Sequence, residues 1–443
     1  MTKLDHIKYL YFIGIGGIGM SALARYFYAE GKTVAGYDKT PGAVTRALED
    51  LGIEITYKDE VENLPEFIKN RAETLVIFTP AVPKSHAGYQ FFLQNEFAVK
   101  KRAEVLGLIS KQTFCLAVAG THGKTTTSSI LGHLLAETGA PVTAFLGGIA
   151  ENYNSNLIQK GSEVIVAEAD EFDRSFLHLH PNIACITSMD ADHLDIYGDA
   201  EALTEGFKAF ADQVVEGGTL FIQNGLPLEG VTVGVDDNAQ YSAQNIRIQD
   251  GAYHFDLHYP DGILENLVFN LPGRHNLSNA VTALAMAILY GSPISSLAGA
   301  LFNFKGVNRR FTYRIKTNDL ILIDDYAHHP TEIEAVHQSV REMYPGEQVL
   351  AVFRTRDFMP QFADSLSMFD EVILLDIYPA REEPIAGIDS QHLLEQIKLS
   401  RKQIVSKENL SQAMQNSGAR IQVMMGAGDI GEEILKITNF LAV

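Results

Sequence analysis

Two short stretches carry residues suited to holding phosphate. The first, YLYFIGIGGIGMSALA over 9–24, contains Gly14-x-Gly16-x-x-Gly19 between an apolar run and a helical pattern. Glycines at this spacing permit a tight turn, close approach of phosphate to the backbone and tight helix packing. Asp38 ends the next strand pattern, where a carboxylate could take a ribose hydroxyl. The second stretch, AGTHGKTTT over 119–127, is a shortened nucleoside-triphosphate loop, because Val118 stands where the usual pattern has its first glycine. Its physics survives the difference. Backbone N–H groups and a helix N-terminus face the phosphates, Lys124 adds a point charge, and the Thr125 hydroxyl can ligate Mg²⁺.

Two later strand ends suit the same site. SEVIVAEADEFD ends a buried strand at Glu168, a carboxylate able to hold magnesium. IACITSMDADHLDIYG ends another and offers Asp190, Asp192 and His193. Ligands of open parallel sheets bind outside the carboxyl ends of strands, so three such ends point to one shared site.

The elements that must position these residues alternate between strand and helix patterns, which predicts parallel α/β layers. The first block has strands at 9–15, 33–37, 74–78 and near Ala98, with helices at 18–31 and 102–110. The second has a strand at 114–119, a helix at 124–138, strands at 164–167 and 183–187, short alternating runs over 218–271 that read as a small antiparallel insert, and a helix at 276–290. The third has strands at 320–323, 349–353, 372–375 and 421–425. The fold class is α/β with three domains: a Rossmann-like unit at 1–108, a P-loop-type unit at 109–308 and a second Rossmann-like unit at 309–443.

Composition narrows the function classes. A net charge of −20 argues against a nucleic-acid binder, which needs a basic footprint. No apolar run reaches the roughly 18 residues of a membrane span, and no cleavage site follows the N-terminal apolar stretch. Cys115 and Cys185 sit in apolar runs and read as core thiols of a cytoplasmic protein. HLHP at 178–181 reads as surface, the Met424-Met425 pair as core strand, and the GAGDI turn at 426–430 as a weaker phosphate candidate.

Taken together, the short loop AGTHGKTTT, AEADE, DADHLDIY, GRHNLSNA at 273–280, GVNRRF at 306–311 and DDYAHHPTEI at 324–333 resemble the Mur ligase family. That resemblance implies a cytoplasmic ATP-dependent ligase of cell-wall precursor synthesis. GIGGIGMSALA points within the family to attachment of L-alanine to the lactyl carboxylate of UDP-N-acetylmuramate through an acyl phosphate. It also implies Mg²⁺ or Mn²⁺, and a monomer or homodimer. The first turn then grips a UDP-sugar rather than NAD, with Gly14, Gly16, Gly17, Ile18, Gly19, Met20, Ser21, Asp38, Thr79, Ala81 and Val82 lining it. Serines are common in the family where Thr79 and Pro80 stand. ATP falls to Gly120, Thr121, His122, Gly123, Lys124, Thr125, Thr126, His275, Asn276, Asn279, Arg309 and Asp325. The resemblance gives metal to Thr125, Glu168 and His193, catalysis to Lys124, His193, Arg309 and His328, and the amino acid to Tyr326, His328 and Arg354. His328 and His193 are the candidates for deprotonating the amine.

One departure stands out. The strand QVLAVF runs directly into RTRDF, where the family carries a loop between Phe353 and Arg354 that helps bind the amino acid. Either that loop is lacking or a segment is missing from the sequence, and the register on both sides favours the second. Three rival readings compete. A nicotinamide dehydrogenase accounts for 14–38 but not for Lys124, Glu168 or His193. A nucleotide-binding switch leaves Arg354 and the DDYAHHP segment unexplained. A sister ligase that attaches a recycled peptide differs only in acceptor.

Overall fold

The computed structural model describes residues 4–190, 200–249, 251–354, 361–376, 389–426, 428 and 430–441. Three sheets organise it. The first joins β1 (Tyr9–Ile13), β2 (Thr33–Tyr37), β3 (Glu54–Thr56), β4 (Thr74–Phe78) and β5 (Ala98–Lys101) in the order β3-β2-β1-β4-β5, all parallel. Strand β1 stops two residues short of the expected end because Gly14, at φ 86°, already turns the chain.

The second sheet contains β6 (Phe114–Ala119), β7 (Val142–Ala150), β8 (Ser155–Gln159), β9 (Val164–Glu168), β10 (Ile183–Ile186), β11 (Thr219–Gln223), β12 (Val231–Val235), β13 (Tyr241–Gln249), β14 (Ala252–Tyr259) and β15 (Gly262–Phe269). Its order is β15-β14-β13-β12-β11-β10-β6-β9-β7-β8. The insert is smaller than its alternating pattern suggests. Strands β11, β12 and β13 extend the sheet in parallel, and only the β13–β15 hairpins have turns too short for anything but antiparallel pairing.

The third sheet contains β16 (Thr312–Lys316), β17 (Ile321–Asp325), β18 (Val349–Arg354), β19 (Glu371–Leu374), β20 (Lys402–Ile404) and β21 (Ile421–Gly426), ordered β16-β17-β21-β18-β19-β20. Its parallel strands are buried runs such as VLAVFR and IQVMMG, covered on both faces as parallel sheets require. The Met424-Met425 pair is core.

Two compact units divide the chain: Met1–Ile246, Phe255–Val268 and Ser278–Phe304 in one, Arg247–His254, Phe269–Leu277 and Lys305–Val443 in the other. Within the first unit, one apolar cluster runs from Leu10 and Phe12 of the first sheet to Phe145 and Leu157 of the second. The joint is sealed by helix α1 (Ile18–Ala29), whose Tyr26 ring meets Phe145 edge-on at 5.3 Å. Buried Asn156 on β8 donates to Ile18 O at 2.5 Å and to the Ser21 hydroxyl at 2.8 Å.

Cys115 and Cys185 are free, buried thiols on the adjacent strands β6 and β10, and burial pushes both above the ordinary thiol pKa, Cys115 to about 12. Among the described residues no helix is long and apolar enough to cross a membrane.

Candidate active site

The first turn sits where the strand order of its sheet reverses, between β1 and β4, the place where such sheets bind ligands. Gly14 has no room for a side chain: a Cβ there would lie 2.9 Å from the Thr79 methyl. The Asp38 carboxylate accepts the Gly16 N–H at 2.7 Å and the Thr40 N–H at 3.3 Å, so it fastens the turn. Gly17, Ile18, Gly19, Met20, Thr79 and Ala81 line a cavity of about 330 Å³. Ser21 is not among the lining residues: it is fully buried and its hydroxyl accepts from Asn156. The opposite wall carries Gly147, Glu168 and Asp170, so the cavity begins at one phosphate turn and ends at a carboxylate of the other.

Strand β6 lies between β9 and β10, which brings the three expected strand ends together. Gly120, at φ 132°, and Gly123, at φ 82°, are held in conformations that favour glycine, and a Cβ on them would strike Thr187 and Asn279 respectively. The loop is tied to the β10 end. Thr121 donates to Asp190 O at 2.9 Å, and the His122 N–H to the Ser188 hydroxyl at 2.8 Å. Helix α5 (Lys124–Glu137) starts at the loop, and Lys124 Nζ donates to Gly120 O at 2.7 Å, Thr121 O at 3.1 Å and the buried Glu171 carboxylate at 2.8 Å. Thr126 is buried one residue beyond the Thr125 hydroxyl, which donates to Glu168 at 3.0 Å.

Glu168 also accepts the Gly147 N–H at 3.0 Å and the Ser128 hydroxyl at 3.5 Å. Burial pushes its carboxyl pKa up, while the Lys124 charge and the Thr125 hydroxyl pull it back. A half-buried carboxylate beside two hydroxyls is a donor set suited to a hard divalent cation. No group of three His, Cys, Asp or Glu gathers among the described residues. His193 and Asp192 lie outside the described residues.

Several expected residues belong to the other unit. Asn276 is buried and donates to Pro272 O at 2.6 Å, while His275 is exposed on the same turn. Arg309, at φ 62°, donates to Asp324 at 3.1 Å and to Gly426 O at 2.6 Å. That network ties its guanidinium to the ends of β17 and β21. Arg310 is the more exposed neighbour: it faces the Tyr326 ring at 5.4 Å and Glu332 at 3.8 Å. Asp325 accepts the N–H groups of Phe311 and Ala327, both at 2.7 Å, and burial raises its carboxyl to about 6. It closes a loop between Phe311 and Ala327.

The His328 imidazole packs edge-on against Tyr326 and lies 3.3 Å from Glu332. Burial works against its charge, but the hydrogen bond and charge of Glu332 raise its pKa overall. Arg354 is buried, its Nε donating to Asp376 O at 2.9 Å. Phe353 and Arg354 pair with Met425 and Gly426 as the last two residues of β18, at the carboxyl end of a central strand of the third sheet.

This pairing of a Rossmann-like sheet with a shortened P-loop sheet defines the class. The chain belongs to the Mur ligase family: its catalytic domain model matches residues 9–113, the middle domain 118–287 and the glutamate ligase domain 309–430. Among the curated relatives, the UDP-N-acetylmuramate–L-alanine ligase of Christiangramia forsetii is 61% identical, covering 100% of this chain and 99% of its own. That of Flavobacterium psychrophilum is 60% identical, covering 99% of each. The crystal structure of UDP-N-acetylmuramate–alanine ligase from Thermotoga maritima superposes with a TM-score of 0.84 at 26% identity, covering 98% of this chain and 99% of that one.

Proposed function

We propose that this chain is an ATP-dependent ligase that joins L-alanine to the lactyl carboxylate of UDP-N-acetylmuramate, in the cytoplasm, during peptidoglycan precursor synthesis. The observation that carries the reading is the cavity whose walls are the Gly17–Gly19 turn and Glu168. A dehydrogenase has no use for a second phosphate loop beside its nucleotide turn, whereas a ligase must bring a sugar nucleotide and ATP together. The relatives named above support the choice of acceptor.

The chemistry assigns work to particular residues. A carboxylate is a poor electrophile, so its oxygen first attacks the γ-phosphorus of ATP and ADP leaves, giving an acyl phosphate. The alanine amine then attacks the acyl carbon, loses a proton, and phosphate leaves. Two anions must approach in the first step. The N–H groups of the 120–124 loop and Lys124 offset that repulsion and hold the γ-phosphate in line. Thr125 and Glu168 would hold Mg²⁺, which when bound supplies charge neutralisation at the phosphates. Asn279 packs on Gly123 and keeps the loop in shape. His328, 3.3 Å from Glu332, is placed to orient the amino-acid carboxylate or to take the proton from its amine. Residues 1–108, 109–308 and 309–443 are the proposed sugar-nucleotide, ATP and amino-acid domains.

The test is phosphate release from ATP and Mg²⁺ with UDP-N-acetylmuramate plus either L-alanine or a cell-wall tripeptide, with mass analysis of the product. Release that needs the sugar nucleotide and L-alanine, with the alanyl product present, is expected. Activity with the tripeptide alone would reassign the chain to peptide recycling.

A further inference from the structure

We propose that Arg102 is the residue by which this chain recognises the diphosphate of its sugar nucleotide, and that Asp170 holds the guanidinium until the substrate displaces it. The proposal rests on the ligase reading above and names a residue that neither the glycine pattern nor the family resemblance singled out.

Arg102 opens helix α4 (Arg102–Ser110), directly after β5. That places it at the carboxyl edge of the first sheet, next to the β4 end that carries Thr79. Its side chain lies across the glycine turn: a Cβ on Gly19 would meet Arg102 Nη1 at 2.9 Å and Cδ at 3.1 Å. It lines the cavity of about 330 Å³ and also an adjoining one of about 220 Å³, which adds Lys101, Phe172 and Ser175. Among the described residues lining the larger cavity it is the one cation, facing the carboxylates of Glu168 and Asp170. A polyanion entering between those carboxylates needs that charge.

The pairing with Asp170 is loose. Nη2 stands 3.7 Å from Asp170 Oδ2, beyond hydrogen-bond range, with the two side chains 23% and 40% exposed. Ion pairs of this kind contribute little, so exchange is cheap. Asp170 has a second task, accepting the Phe172 N–H at 3.1 Å, which keeps it in place when the arginine leaves. A guanidinium offers a planar fork that matches phosphate oxygens in pairs, and the N-terminal N–H groups of α1 approach the same anion from the turn.

Calorimetric titration of the full-length chain with UDP, uridine and ATP tests the exchange. Arg102→Ala is expected to weaken UDP binding by about 10- to 100-fold, the range for a lost charge-assisted pair, with uridine and ATP unchanged. Arg102→Lys should recover only part of the loss, since it lacks the fork. Asp170→Asn should tighten UDP binding by removing the competing carboxylate. Wild-type affinity for UDP in Arg102→Ala overturns the proposal. So does an equal loss of uridine and UDP, or an Asp170→Asn variant that weakens UDP as Arg102→Ala does. If the unaltered chain binds ATP but neither UDP nor UDP-N-acetylmuramate, the ligase reading itself falls and the proposal with it.

Discussion

Lys124 meets a carboxylate before it meets any phosphate. Its ammonium has three donors, and two loop carbonyls and Glu171 take them all. A γ-phosphate must displace one, so the lysine is pre-aimed yet not idle. His328 and Glu332 form a second local pair whose consequences can be measured against pH. Burial opposes ionisation of Glu332, but the bond and charge of His328 hold its carboxyl down at about 2. Its contribution is present above the unfolded value of about 4.5 and is lost as pH falls toward 2. The raised His328 contributes below its unfolded value of about 6.5 and loses that as pH rises through its folded value. Glu332→Gln is therefore expected to cost about 1 kcal/mol near pH 6, discounted because His328 is half-exposed, and less near pH 3 or pH 9. Urea denaturation across that range decides it, and a cost independent of pH would refute the pair. Arg354 makes a different prediction. As a buried strand residue, its replacement by alanine should lower the unfolding free energy by about 1–3 kcal/mol, through the unpaired Asp376 carbonyl. A normal urea midpoint with a raised KM for L-alanine would instead support its expected place at the amino-acid site.

Strand β7 shows how an element serves a side chain it does not carry. Its pairing with β8 breaks register between Phe145 and Ala150, and within that irregular stretch Gly147 turns its N–H toward Glu168. A Cβ on Gly147 would run into the Glu168 carboxylate. Gly147→Ala is therefore expected to cut kcat by about 100-fold with little change in melting temperature, and steady-state phosphate release beside a thermal melt checks both. None of this was legible in FLGGIA, which falls in a stretch the sequence patterns assigned to no element. The two phosphate turns were legible because glycine spacing, a lysine and a hydroxyl are local signals. The grouping of Lys124, Glu168 and Asp190 was legible too, since parallel strands deliver their carboxyl ends to one edge. Arg102 was not, because an arginine opening an ordinary helix after a lysine-rich strand carries no pattern. Arg309 and Arg310 could not be told apart in GVNRRF, since only the backbone decides which guanidinium turns inward toward Asp324 and Gly426. The parallel course of β11–β13 was hidden because short alternating runs look alike in either direction.

At the scale of the whole molecule, the sequence divides into three blocks but the packing divides into two units, because the first two sheets share an apolar cluster across α1, β7 and β8. Leu157 and Phe145 look in sequence like ordinary core residues of the second block, so their partnership across blocks leaves no trace there. Each unit has its own core, which favours more than one unfolding transition in a calorimetric scan. ATP with Mg²⁺ at about 100 times its Kd should stabilise the transition of the first unit by about 2.7 kcal/mol. An unmoved scan would place ATP elsewhere. The two buried thiols, on the neighbouring strands β6 and β10, offer a clock for the same unit. Fully covered and held far from ionisation, Cys115 and Cys185 cannot be alkylated while the strands stay closed. In pulsed labelling with iodoacetamide, the mass of the chain should therefore rise by zero or two adducts and rarely by one, and the doubly labelled fraction counts the molecules whose central strands have come apart.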